Sequence, residues 1–268
     1  MTKTPAYHLD RTSALSFGSV SEQYDRFRPS PPPGLVDDLV ARAPRDALDV
    51  GCGTGKVAAE LAGRGTRVLG VEIDARMAAV ARGHGLPVEL GAFETWEAAG
   101  RTFDLITCGD AWHWIDPARG AEKAASLLRP GGTLALFWSY LLLADDDAAL
   151  FRRLYDEHAP RARTHSYLPH QTRSEPFEPI GEFEPIEVRQ YRWEATVSAD
   201  DWVGLIATFS DHQALEPGQL AALQRALHDA IEGLGGGVGV SRGVHAAFAR
   251  RSRGGADGRT TRRTPARR

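Results

Sequence analysis

The stretch Ala47-Leu48-Asp49-Val50-Gly51-Cys52-Gly53-Thr54-Gly55-Lys56 decides how the chain is read. A short apolar run ends in an acidic and a branched residue and breaks into glycines at every second position. It then passes into an alanine- and leucine-rich helical pattern from Val57 to Ala62. The order is strand, tight turn, helix. Glycine is needed where the backbone turns sharply at a strand end and a ligand lies against it, with the N–H groups of the helix start facing that ligand. A nucleotide-like ligand is the first expectation, and spacing sorts the turns that hold one. A Walker loop needs Gly-Lys followed by Ser or Thr, whereas Gly55-Lys56 precedes Val57, so that reading fails. A dinucleotide fingerprint needs a third glycine three places after the second. That place holds Lys56, which weakens the reading and leaves it open.

A second apolar run, Val68-Leu69-Gly70-Val71-Glu72, ends in a carboxylate 21 residues after Gly51. An acidic side chain about 20 residues beyond such a turn meets ribose hydroxyls, so Glu72 is the expected acceptor for both ribose oxygens. Strand and helix patterns then alternate. Asp74 to Gly83 is helical, Val88 to Ala92 and Thr102 to Ala111 are strands, and Asp116-Pro117 opens a helix, with Asp as N-cap and Pro at the first helical position. That alternation predicts a mostly parallel sheet with its ligands across the carboxyl ends of the strands.

Asp49-Val50-Gly51-Cys52-Gly53-Thr54-Gly55 resembles the first motif of the class I S-adenosylmethionine (SAM)-dependent methyltransferases. Leu128-Arg129-Pro130-Gly131-Gly132 before an apolar strand is similar to a second signature of that family. Tyr24-Asp25-Arg26-Phe27-Arg28-Pro29 resembles the opening of a small-molecule, type 11/25-like subgroup. The resemblance implies a Rossmann-like α/β fold: a seven-stranded, mostly parallel sheet with helices on both faces, an antiparallel hairpin at the edge and a helical or loop lid. It implies SAM as cofactor, cradled by Asp49, Gly51, Cys52, Gly53 and Gly55. Tyr24 and Arg28 fall near the amino-acid end, where a guanidinium pairs with the carboxylate. Ile73 and Met77 are placed either to touch the adenine or as core, and the Phe93 backbone meets the adenine edge. Asp110 is the candidate to hydrogen-bond the SAM amino group.

Trp112, Trp114 and Trp138 fall at or near the ends of strands four and five. One of them is expected in the core. Trp112 is assigned to the cofactor, and Trp114 and Trp138 to the substrate, because a loop at the carboxyl edge suits a binding site. A methyl acceptor that is a hydroxyl or amine benefits from a general base, and an acidic carboxylate or stabilised carbanion needs none. His113 is the first candidate base, followed by His165 and His170 on a long proline-rich stretch that reads as a lid, where Tyr167 is a further substrate contact. Asp200, Trp202 and Phe209 are expected in helical cover over the pocket.

A chain of 268 residues holds one α/β domain with an added lid. The expected division is a disordered stretch 1–14, a methyltransferase domain 15–250 and a disordered arginine-rich tail 251–268. Within the domain, 15–140 is the cofactor-binding core, and 141–235 is lid, substrate cover and edge strands. Cys52 and Cys108 show neither metal spacing nor a disulfide framework, and no metal site is expected. No apolar run reaches about 20 residues, and no signal segment is visible, so a cytoplasmic protein without membrane contact is expected. Residues 250–268 hold eight arginines and one aspartate against a net charge of −3, leaving the rest of the chain with about ten negative charges. That balance argues against a nucleic-acid partner held along the fold. The expected activity is methyl transfer to O, N or C of a small, partly apolar metabolite by a monomer or homodimer. The alternatives are another reaction on a SAM fold, such as cyclisation, and a SAM-binding accessory protein without turnover.

Overall fold

The computed structural model describes residue 8, residues 11–162 and residues 182–253. Three short helices precede the sheet: α1 (Arg11–Ser16), α2 (Ser21–Phe27) and α3 (Pro33–Val40), with a 3-10 turn, Phe17–Val20, between the first two. The alternating core follows as β1 (Asp46–Val50), α4 (Lys56–Gly63), β2 (Arg67–Glu72), α5 (Ala75–Gly83), β3 (Val88–Leu90) and β4 (Phe103–Gly109). A 3-10 turn, Trp112–Trp114, leads to α6 (Pro117–Leu127) and β5 (Leu128–Leu143). Beyond these lie α7 (Asp145–His158), β6 (Glu187–Ser198), α8 (Ala199–Ile206), α9 (Ser210–Gln213), α10 (Pro217–Gly233) and β7 (Gly237–Arg250).

These strands form one seven-stranded sheet in the order β3-β2-β1-β4-β5-β7-β6. The first five are parallel to their neighbours, and β7 is inserted antiparallel to both β5 and β6. β1 sits centrally with helices on both faces, so its side chains from Ala47 to Val50 are buried on both sides rather than alternating with exposed ones. Successive residues still face opposite ways: Leu48 and Val50 join the layer with Ile106, Trp112 and Leu134, while Ala47 joins Leu35, Leu39, Leu61 and Phe248. The helix starts are fixed locally. Asp116 Oδ1 accepts from the N–H groups of Ala118 and Arg119 ahead of Pro117, and Asp74 accepts from Arg76 and Met77 at the start of α5.

Three details differ from the sequence reading. Ordered helix begins at Arg11, inside the stretch expected to be disordered. β5 begins at Leu128 because Arg129-Pro130-Gly131-Gly132 bulges out of the strand: Phe103 pairs with Leu128 and Leu105 with Thr133. The edge hairpin is opened by residues 199–236, which carry α8, α9 and α10. With α7 they make a separate cap core around Phe151, Tyr155, Trp202, Leu223, Leu227 and Ile231.

The N-terminal arm ties that cap to the sheet. Lys56, the residue that raised the Walker reading, donates from Nζ to the Asp25 carbonyl at 2.5 Å, and the Asp25 carboxylate pairs with His84 Nε2 at 2.9 Å. On its other side, α2 pushes Phe27 against α8 at Gly204, where a Cβ would sit 2.5 Å from the ring. Among the described residues no helix is long and apolar enough to cross a membrane.

Candidate active site

A cavity of about 850 Å³ opens at the carboxyl ends of β1, β2, β4 and β5, under the arm and the cap. This is the upper part of the usual range of about 300–1,000 Å³ for ligand pockets. Its floor is the glycine turn. Gly51 and Gly53 have φ of 62° and 56° and line the cavity, whereas Cys52, Thr54 and Gly55 are buried away from it. A Cβ on Gly53 would meet only Met77 Cε, at 3.4 Å, and so would stand in the space a ligand uses. A Cβ on Gly55 would instead strike Leu86, at 2.3 Å, so this glycine serves the packing of α4 on α5.

Glu72 closes the turn from β2. Its Oε2 accepts from the Gly53 N–H at 2.8 Å, and its Oε1 accepts from the Ile73 and Asp74 N–H groups at 2.9 Å. Burial nevertheless raises its pKa above the ordinary glutamate value, the three N–H groups opposing the rise. A carboxylate has about four acceptor positions, so two ribose hydroxyls sharing this one compete with a backbone donor. Asp49 lies beneath, almost fully buried, with Oδ1 accepting from Thr107 Oγ1 at 2.7 Å. Burial pushes its pKa up to about 7, with the nearby Glu72 charge adding to the rise.

At the far side of β4, Asp110 takes a positive φ of 51°, which is uncommon for a residue with a side chain and turns its carboxylate onto β5. There its two oxygens accept from the Ser139 N–H and Oγ, each at 2.8 Å. Arg28 leans in from the arm, its guanidinium stacked between Phe209 at 4.3 Å and Tyr24 at 5.2 Å. Its Nε and Nη2 donate to Thr208 Oγ1 and to the Thr208 carbonyl. Burial raises the Tyr24 pKa, and the Arg28 charge opposes that rise. The mouth is aromatic: Phe17 meets Trp114 edge-on at 6.2 Å, the His113 ring lies tilted against Trp114 at 4.8 Å, and Trp138 and Trp193 complete the wall.

Residues 48–136 match the profile of a methyltransferase domain family. An uncharacterised methyltransferase of Mycobacterium tuberculosis is 42% identical over 132 residues, which are 48% of this chain and 54% of that protein. The ubiquinone biosynthesis O-methyltransferase of Marinobacter nauticus is 36% identical over 108 residues, 36% of this chain and 45% of its own. The chain thus spans about half the length of the curated relatives it matches. Among solved structures, one described as a type II methyltransferase from Anaeromyxobacter dehalogenans superimposes with a TM-score of 0.61 at 25% identity, over 84% of this chain and 98% of its own. Residues 48–136 thus match a methyltransferase domain, and the fold around them is shared with that solved methyltransferase.

Of the residues expected at the site, Tyr24, Arg28, Gly51, Gly53, Glu72, Ile73, Met77, Phe93, Asp110, His113, Trp114 and Trp138 all border this cavity. Two of the expected cofactor residues, Trp112 and Gly55, border neither this cavity nor a smaller one beside the turn. Trp112 is 2% exposed and packs in the core against Phe93 and Gly120, so it supports the floor without reaching a ligand. Cys52 turns its sulfur toward Gly70 in the opposite layer, where burial holds the thiol protonated. Gly55 shapes the turn from behind, whereas Asp49 and Cys52 border the smaller cavity, of about 90 Å³, together with Tyr24, Arg28, Gly51, Gly53 and Asp110. His165, Tyr167 and His170 lie outside the described residues. Of the expected cover, Phe209 lines the cavity, whereas Trp202 packs on Phe151 inside the cap, and Asp200 is exposed beside His228. Sequence reasoning missed Ser139, Trp193 and Arg242. Ser139 follows Trp138 directly and carried no signal of its own. Trp193 sits in an alternating stretch whose strand partner lies more than forty residues further on. Among the described residues, no three His, Cys, Asp or Glu side chains converge as metal ligands.

Proposed function

We propose that this domain is a SAM-dependent methyltransferase acting on O, N or C of a small, partly apolar molecule. One observation carries the reading: a single cavity joins a glycine turn braced by a buried carboxylate to a wall of Trp114, Trp138 and Trp193. The residues present fit the cofactor. Glu72 supplies acceptors for a ribose, and Ile73, Met77 and Phe93 supply apolar contacts for a purine. Asp110, Tyr24 and Arg28 offer both signs of charge and a hydroxyl to an amino acid. When bound, SAM supplies a methyl on a sulfonium, which an acceptor atom takes by in-line displacement.

The chain's part is alignment, exclusion of water and handling of the acceptor's proton. The arm and cap cover the cavity, the tryptophans hold an apolar acceptor by its faces, and His113 at the mouth accepts the proton of a hydroxyl or amine. Isothermal titration with SAM and with S-adenosylhomocysteine, beside Gly53→Asp, tests the reading. Gly53 combines a positive φ with a Cβ position in the cavity, so the variant is expected to abolish binding while wild type binds in the micromolar range. Binding by the wild type justifies a search for acceptors by product mass. Failure of the wild type to bind either compound refutes the proposal.

A further inference from the structure

Arg242 on β7 is a half-buried guanidinium without an ion pair among the described residues. It lines the cavity, and its Nε is buried without a hydrogen-bond partner. The field of Asp201 reaches it, but burial prevails and lowers its pKa. Each of the four carboxylates bordering the same cavity is engaged elsewhere. Glu72 holds three backbone N–H groups, Asp110 holds Ser139, Glu94 accepts from the Asp116 N–H, and Asp211 pairs with His212 Nδ1. An unpaired charge held out of water is unfavourable unless a ligand completes it.

The place of Arg242 assigns that ligand to the acceptor end. Strand register sets it between Leu141 of β5 and Trp193 of β6, and all three line the cavity, so apolar surface flanks the charge on both sides. β7 lies three strands beyond β1 in the sheet, a lateral separation of about 14 Å at the usual inter-strand spacing. A second cation, the exposed Arg161, borders the cavity without an ion pair to a described residue. Planar guanidinium groups recognise carboxylate and phosphate through paired N–H donors. We propose that Arg242 binds an oxyanion, carboxylate or phosphate, on an otherwise apolar acceptor, which makes the substrate class an amphipathic acid. The proposal rests on the methyltransferase reading for the word acceptor, but the anion site is testable separately.

The test is titration of the protein saturated with S-adenosylhomocysteine against phenylacetate, phenyl phosphate, neutral phenylacetamide and cationic phenethylamine, in wild type, Arg242→Gln and Arg242→Lys. One of the two anions is expected to bind at least about tenfold more tightly than the amide. Its identity distinguishes carboxylate from phosphate. Arg242→Gln is expected to erase that preference, Arg242→Lys to keep part of it, and both to bind S-adenosylhomocysteine as wild type does, which also shows that they fold. The proposal is overturned if neither anion binds at millimolar concentration, if amide or amine binds as well, or if the preference survives in Arg242→Gln. If S-adenosylhomocysteine fails to bind but the anion preference persists and depends on Arg242, the methyltransferase reading falls and the anion site stands.

Discussion

Glu72→Gln separates what the carboxylate does for the fold from what it does for the cofactor. In the wild type, three backbone N–H groups converge on two carboxylate oxygens at 2.8–2.9 Å. A glutamine offers one oxygen and one NH2. If the oxygen stays with Ile73 and Asp74, the NH2 faces the Gly53 N–H, donor against donor. Orphaning one N–H costs about 1–3 kcal/mol. Against this, the carboxylate's raised pKa means that burial disfavours its charge, and glutamine removes that penalty. The two effects oppose, so the melting temperature is expected to move little. Ligand binding has no such offset. Loss of a charged acceptor for a ribose hydroxyl is worth about 1.5–3 kcal/mol, so the Kd for S-adenosylhomocysteine is expected to rise about 10- to 150-fold by calorimetry. The pH dependence adds a signature. An acid whose folded pKa is raised loses its penalty as pH falls through that pKa, so acidification relieves the fold while removing the ribose acceptor. In wild type, affinity is expected to decline at a pH above the ordinary glutamate value of about 4.3, and in Glu72→Gln this decline is absent. A variant whose affinity changes less than about threefold, or whose stability and affinity fall together, refutes this division of roles.

Asp49, with a folded pKa of about 7, binds its proton more tightly folded than unfolded, so its contribution to stability falls as pH rises from about 4 to 7 and is then constant. Asp49→Asn is therefore expected to gain stability over wild type at pH 8 relative to pH 5 in urea denaturation; a difference independent of pH counts against the buried-acid account. Gly204→Ala places a methyl 2.5 Å from the Phe27 ring and is expected to cost about 1–3 kcal/mol, with weaker cofactor binding as the arm is displaced. An unchanged denaturation midpoint would show that the arm is not seated on the cap. His113→Gln is expected to lower turnover far more than SAM affinity once an acceptor is known, and equal turnover removes His113 from the chemistry.

The cofactor end of the site was legible because its constraints act on the backbone. Glycine at 51 and 53 answers positive φ and an approaching ligand, and Glu72 answers a spacing fixed by one βαβ unit. The motif did not reveal which face each of its residues takes. Cys52 and Thr54 turn inward on alternate positions, and Gly55 at the start of α4 is buried separately against Leu86. Trp112 was misplaced for a related reason. Trp112-His113-Trp114 reads as a loop at the carboxyl edge, with both tryptophans available to ligands. The segment is instead a 3-10 turn, in which successive side chains diverge by about a third of a turn, so Trp112 goes down into the core while Trp114 stays at the mouth.

The acceptor end was legible only in part because it is assembled from segments far apart in sequence. Trp138 could be suspected from its place at a strand end, but Trp193 and Arg242 become neighbours only through strand pairing across three inserted helices. No local pattern specifies that register. The same division explains the reach of the family match, which ends at residue 136, before Trp138, Trp193, Phe209 and Arg242. Backbone geometry that grips a shared cofactor restricts sequence tightly. Side chains that line a mouth restrict it only through the molecule they receive, and the opened edge hairpin lets the cap vary without disturbing β1 to β5. What distinguishes this domain from its relatives is therefore expected to lie in β6, β7 and the helices between them. Exchanging only the strands 187–198 and 237–250 for those of a relative, which keeps Gly204, Thr208 and Phe209 against the arm, should change the preferred acceptor while leaving S-adenosylhomocysteine affinity within a few-fold. A transplant that keeps the original preference would place specificity in the helices between the strands or back in the loops after β4 and β5.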